Sequence, residues 1–438
     1  MNPFYKIILS GLLVGLPLIG SAQTTALLAQ MDKTTDALAP KIIGWRRDFH
    51  QHPELGNREF ETAGKIAAHL KSLGIEVKTG VAKTGVVGIL KGGKPGPVVA
   101  LRADMDALPV VERGSLPFKS TVKTEFNGQQ TGVMHACGHD SHMAMLMGAA
   151  EVLASVRSDL TGTIKFIFQP AEEGVPAGEE GGAKLMVKEG VLENPKVDAI
   201  FGLHIKSEID INTIKYRSGS LMAAVDQYSI TVKGKSTHGA DPWLGVDPIV
   251  TGSQIVMGLQ TIVSRNLPLT ENGAVVTVGA FNGGNRYNII PEEVNMIGTI
   301  RSFSPGMQQT IHRRINEIAT NIAESGGAKA AVKIDIMYPA TINDPALTDQ
   351  MLPTLQRLAG KDKVLLTPAT TIAEDFSFYQ EKVPGFFFFL GGKSPDKKSS
   401  APHHTPDFEI DESGFGMGVK ALSHLAVEYM EQKTGTGR

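Results

Sequence analysis

Cysteine, histidine and glutamate recur at successive strand or loop ends of this chain, and that recurrence narrows the folds open to it. Apolar runs at 84–90, 97–101, 164–168, 199–203 and 385–391, bounded by glycine, proline or polar residues, read as buried strands. The run at 97–101 leads into Arg102-Ala103-Asp104-Met105-Asp106, and the run at 164–168 ends in Gln169-Pro170-Ala171-Glu172-Glu173-Gly174. The run at 199–203 ends in His204, and 385–391 is followed by Pro402-His403-His404-Thr405-Pro406. Between these lies Met134-His135-Ala136-Cys137-Gly138-His139-Asp140-Ser141-His142, which holds the only cysteine. Open α/β sheets place their chemistry at the carboxyl ends of strands, so this layout predicts a site along one sheet edge.

Each stretch alone has a plainer explanation. Cys137 could be a buried thiol beside solvated histidines, Asp104 to Asp106 an Asx turn, and Glu172-Glu173 a solvated acidic turn. Chance explains all of them together poorly. A thiolate and an imidazole two residues apart can reach one metal ion where Gly138 lets the chain bend. Successive side chains in extended backbone face opposite ways, so Glu172 and Glu173 can divide labour between substrate and metal.

At 438 residues the chain exceeds the roughly 250–300 at which one core stops growing, so two domains are expected. The texture changes between 217 and 338. Strands at 226–233, 274–281, 293–303 and 332–337, with helices at 248–266 and 305–324, give the order βαββαβ of a ferredoxin-like split unit. We read it as a domain inserted into a discontinuous α/β unit formed by 23–216 and 339–438.

Residues 1–22 carry an apolar run, then Gly20-Ser21-Ala22, which reads as a secretory signal peptide cleaved after Ala22. The expected location is therefore outside the cytoplasm, periplasmic or secreted. A lone cysteine cannot form an intramolecular bridge, so a thiol in that setting would need burial or a metal to protect it. The net charge of -2 gives no hint of nucleic acid, and no later segment has the length and apolarity of a membrane span.

The motifs resemble those of the M20 metallopeptidase family, in the amidohydrolase branch of hippurate, N-acyl-amino-acid and auxin-conjugate hydrolases. Besides the stretches above, the resemblance rests on Arg46-Arg47-Asp48-Phe49-His50-Gln51-His52-Pro53-Glu54-Leu55, Gly234-Lys235-Ser236-Thr237-His238, Asn288-Ile289-Ile290-Pro291, Gly298-Thr299-Ile300-Arg301 and Ala373-Glu374-Asp375-Phe376. They keep the family's order over almost the whole chain. The resemblance implies a zinc-peptidase-like catalytic domain with a central mixed sheet, and a βαββαβ dimerisation or lid domain.

It also implies two divalent metal ions per subunit, of zinc, manganese, cobalt or nickel, held by Cys137, His139, Glu173, His204 and His404. Glu172 becomes the general base, and Asp106 orients a ligand. His404 is preferred to His403 only through the family's His-x-Pro pattern, while His135, Asp140 and His142 are left structural or supporting. His238 would reach the active site of the other subunit of a homodimer and help hold the oxyanion. Asn288 and Arg301 would bind the free carboxylate of the amino-acid product. The implied substrate is a small N-acyl amino acid, with peptide cleavage or deacetylation of an N-acetylated diamino acid as alternatives. Ile205-Lys206-Ser207-Glu208 lacks the aromatic and proline that the branch often carries after the His204 position.

Overall fold

The structure, a computed structural model, describes residues 18–268, 270 and 273–435. Its larger part is built on an eight-stranded mixed sheet. In spatial order the strands are Glu76–Val81, Gly85–Lys91, Thr161–Gln169, Lys94–Asp104, Ala199–Asp210, Gly385–Lys393, Ile214–Tyr216 and Val364–Leu366. The four central strands run parallel. Strands covered on both faces must be apolar throughout, which accounts for the phenylalanine run. Phe386, Phe388 and Leu390 enter one core, whereas Phe387 and Phe389 enter the other. Each phenylalanine so buried contributes roughly 1.5–3 kcal/mol.

The first core is completed by helices Leu18–Gln51, Phe60–Ser72, His139–Ser155, Pro345–Ala359 and Phe415–Gly435. The short helices Gly182–Lys188 and Ser377–Gln380 cover the opposite face. This is the expected α/β arrangement with a mixed sheet.

A second sheet has four antiparallel strands in the order Val275–Gly283, Glu293–Ser302, Ala224–Lys233, Lys329–Tyr338. In chain order that is second, third, first, fourth, the arrangement of a split βαβ unit. Helices Pro248–Thr261 and Pro305–Ser325 close a third apolar core with it. Both helices start as the sequence dictates. Asp247 accepts from the amides of Ile249 and Val250, Ser304 accepts from that of Met307, and each cap is followed by proline.

The expectation of export after cleavage at Ala22 is corrected by the amino-terminal helix. Leu18–Gln51 carries the backbone unbroken through Gly20-Ser21-Ala22, whereas proteolysis concentrates in exposed, poorly ordered segments. The rest of the apolar run, residues 1–17, lies outside the described residues. Among the described residues no helix is long and apolar enough to cross a membrane.

Candidate metal centre

The parallel strands deliver their ends to one cleft of about 410 Å³, lined in part by Cys137, Glu172, Glu173, His204, Glu374 and His404. Strand Lys94–Asp104 pairs with Thr161–Gln169 so that Asp104 stands beside Gln169, which puts Asp106 and the Glu172-Glu173 turn on the same edge. His139 opens helix His139–Ser155 directly after Gly138, whose φ is 93°. A Cβ at 138 would lie 2.5 Å from Ile205 Cγ2, so both the left-handed turn and the close approach require glycine.

Sulfur, nitrogen and carboxylate donors meet at ligand-like spacing. Cys137 Sγ lies 3.4 Å from His204 Nε2 and 3.3 Å from His404 Nε2. His404 Nε2 is 2.9 Å from Glu173 Oε1, and His139 Nε2 is 3.9 Å from the same oxygen. The imidazoles are also oriented. His139 Nδ1 donates to the Asp106 carbonyl at 2.8 Å, and His204 Nδ1 donates to the Ile205 carbonyl at 2.6 Å. Both therefore present an unprotonated Nε2 when neutral, as a ligating histidine must. His139 Nε2 is fully buried and has no hydrogen-bond partner among the described residues.

Charge gives the same indication. Glu172, Glu374 and Asp375 gather ligand atoms within 4.8 Å of one another. Glu172 is pushed well above the usual carboxylate range, first by burial and then by Glu374, Glu173 and Asp375. Glu173 suffers burial as well, but its hydrogen bond from His404 and the charge of His139 leave it lower than normal. Burial lowers the His139 pKa, yet Asp104, Asp106 and Glu173 more than offset this and raise it to about 10. Carboxylates crowded around a thiol and imidazoles, with one buried Nε2 unpartnered, are a donor set that fits divalent cations.

Asp106 accepts from the Glu173 amide through Oδ2 at 2.9 Å, besides receiving His139 at its carbonyl. His142 is spent elsewhere: Nδ1 bonds Asp104 Oδ1 at 2.7 Å and Nε2 accepts from the Ile205 amide at 2.8 Å. Asp140 is held by Arg46 at 3.0 Å and by His50 at 2.7 Å. His135 is buried with neither ring nitrogen partnered among the described residues. His403 lies beside Cys137 and His204, but its Nε2 accepts from the Ser207 amide at 3.2 Å. His404 Nε2, by contrast, faces both Cys137 and Glu173.

His238, Asn288 and Arg301 do not line the cleft. His238 is exposed and pairs with Ile289 in a two-stranded sheet, where Gly239 donates to the Asn288 carbonyl. Arg301 Nε donates to the Thr371 carbonyl at 3.1 Å, one residue before Ile372 of the cleft lining.

A buried network under the centre was not assigned from sequence. Arg102 reaches Asp104 at 2.7 Å, Glu374 at 2.9 Å and Asp375 at 3.0 Å. Gln169 accepts from Arg102 Nε and donates to Asp375. The stretch Ala373-Glu374-Asp375-Phe376 was the available signal, but nothing local tells which cation it meets. Arg102→Met leaves these carboxylates buried together, so it is expected to lower unfolding free energy by about 3–5 kcal/mol in urea titration. An unchanged midpoint and slope would rule out a supporting role.

The model of peptidase family M20/M25/M40 matches residues 100–428. The chain is 40% identical over 390 residues to thermostable carboxypeptidase 2 of Saccharolobus solfataricus, covering 89% of this chain and 95% of that protein. It is 38% identical over 396 residues to the N-acetylcysteine deacetylase of Bacillus subtilis, covering 90% and 98%. Among solved structures it is similar to the Bacillus subtilis YXEP protein, a dinuclear metal-binding peptidase of the M20 family. That match has 36% identity, a TM-score of 0.77, and coverage of 90% of this chain and 99% of that one. The chain belongs to peptidase family M20/M25/M40 and is a metal-dependent hydrolase of amide C–N bonds.

Proposed function

We propose that this enzyme cleaves the amide bond of N-acyl amino acids, with Glu172 as general base. The observation that carries the reading is the meeting of Cys137, Glu173, His204 and His404 in one cleft with the buried Glu172. Similarity to a deacetylase of an N-acylated amino acid supports it. In this proposal Cys137, His139, Glu173, His204 and His404 hold two divalent ions. Divalent cations bound there would supply Lewis acidity and bring a water's pKa toward neutrality.

Glu172 takes the proton from the attacking water and delivers it to the departing amine, so one carboxyl serves as base and then acid. Its surroundings favour the protonated state between those events, since burial and Glu374 both disfavour the anion. Tyr338 donates to the Glu172 carbonyl at 2.8 Å and steadies the turn that carries it. We further propose that residues 217–338 form a dimerisation domain. His238 of the partner subunit would then donate to the carbonyl oxygen, and Asn288 and Arg301 would hold the product's carboxylate. Trp243 and Tyr287, at 75% and 95% exposure near His238, are the apolar surface such a contact would cover.

A hydrolysis screen over N-acyl amino acids and short peptides, with metal analysis, tests the reading. Turnover of peptides alone would favour a second one, carboxypeptidase activity, which the 40% identical relative supports. Chelation is expected to abolish activity, and a divalent ion to restore it. Cys137→Ser is expected to weaken metal retention on dialysis, because an alcohol is a far poorer anionic ligand than a thiolate. Full activity after both treatments would discard the metal centre.

A further inference from the structure

Lys206 occupies the place where the sequence departs from its family, and the mechanism above leaves it without a task. It lies two residues after His204 on strand Ala199–Asp210, so the alternation of side chains sets it on the same face as that imidazole. The residue lines the cleft beside Cys137, Glu172 and Glu173, and is the one lysine or arginine among the described lining residues. It is only 6% exposed. Nevertheless it makes no hydrogen bond or ion pair among the described residues, and its ammonium stands 5.0 Å over the Phe389 ring. The ammonium therefore meets no anion among the described residues, and one aromatic face gives a cation only modest stabilisation.

Resting on the hydrolase reading, we propose that Lys206 pairs with a carboxylate of the substrate inside the cleft, anchoring the acyl amino acid next to the scissile amide. Within this chain's own cleft the one cation expected from sequence to meet a carboxylate is not in place, so a role for Arg301 there would have to come from the partner subunit. Arg301 spends Nε on Thr371 and another nitrogen on Thr299 and Ile300, and does not line the cleft. A substrate anion has two sources, the amino-acid half and the acyl half. The competing role for Lys206 is support of the Cys137 thiolate, since its charge opposes the upward push of burial on that thiol.

The test compares the metal-loaded full chain with Lys206→Met and Lys206→Arg on N-acetylalanine, N-acetylalanine amide and N-succinylalanine amide. The ratio of kcat/KM for a carboxylated substrate to that for N-acetylalanine amide is expected to fall roughly 10- to 100-fold in Lys206→Met, the size of a lost charge-assisted hydrogen bond. KM should move more than kcat, and Lys206→Arg should recover part of the loss. A fall confined to N-acetylalanine assigns the amino-acid half, and one confined to N-succinylalanine amide assigns the acyl half. Unchanged ratios, or loss of metal from Lys206→Met, overturn the proposal, the latter in favour of thiolate support. If the wild type turns over none of the three, the N-acyl-amino-acid reading fails separately. Calorimetric titration of succinate then decides on Lys206: binding at least ten times weaker in Lys206→Met supports the pairing, and equal affinity removes it.

Discussion

Glu172→Gln is expected to keep its metal and lose at least ~10²-fold in kcat, the scale of general acid–base assistance, while Glu173→Ala loses metal itself. The two residues are adjacent, yet their surroundings differ in the way these roles require. Glu173 Oε1 is 2.9 Å from His404 Nε2, its amide is held by Asp106, and His404 touches Cys137. Glu172 instead faces Glu374 and Asp375. Those neighbours raise its proton affinity, which suits a group that must hold a proton briefly and then release it.

An amide in place of Glu172 keeps the shape and removes a repelled charge. Stability in Glu172→Gln should therefore stay level or rise, so a fall in rate cannot be blamed on unfolding. Stopped-time turnover and metal content on the same preparations measure both effects. Normal turnover by Glu172→Gln would remove the base assignment, and full metal in Glu173→Ala would remove the ligand assignment.

Much of this arrangement was legible because buried parallel strands advertise themselves as apolar runs, and their ends carried rare donor types. The phenylalanines from 386 to 389 could hardly be anything but a doubly covered strand. The split βαβ unit was legible through the order of its strand patterns at 226–233, 274–281, 293–303 and 332–337 with helical patterns at 248–266 and 305–324. Other features depend on partners far away in sequence. Arg102 meets Glu374 across 272 positions, and His50 meets Asp140 across 90, so no local window reveals either pair. The amino terminus misled for a different reason. An apolar run followed by small residues describes both a leader and the start of a helix, and only the continuous backbone of Leu18–Gln51 separates the two. Lys206 was visible as a departure, but its burial against Phe389 was not.

Mixing inactive Glu172→Gln with inactive His238→Ala is expected to regenerate activity after subunit exchange, if each site borrows its partner's imidazole. His238 is exposed and does not line its own chain's cleft, whereas a donor to the developing oxyanion must stand within hydrogen-bond reach of it. Its Nδ1 accepts from the Ala240 amide at 3.0 Å, which leaves Nε2 as the protonated nitrogen free to donate outward. In a mixed dimer, one site has neither defect: Glu172 comes from the His238→Ala chain and His238 from the Glu172→Gln chain. The other site has both. With free exchange, half of the dimers are mixed and each carries one complete site, so activity should approach a quarter of the wild-type level. His238→Ala alone should lose ~10²–10³-fold, as removal of an oxyanion donor does elsewhere. Differentially tagged chains isolated as mixed dimers make the outcome decisive. No rescue in such dimers would end the shared-site proposal, yet would leave the roles proposed for Cys137, His139, Glu173, His204 and His404 standing, because those residues come from one chain.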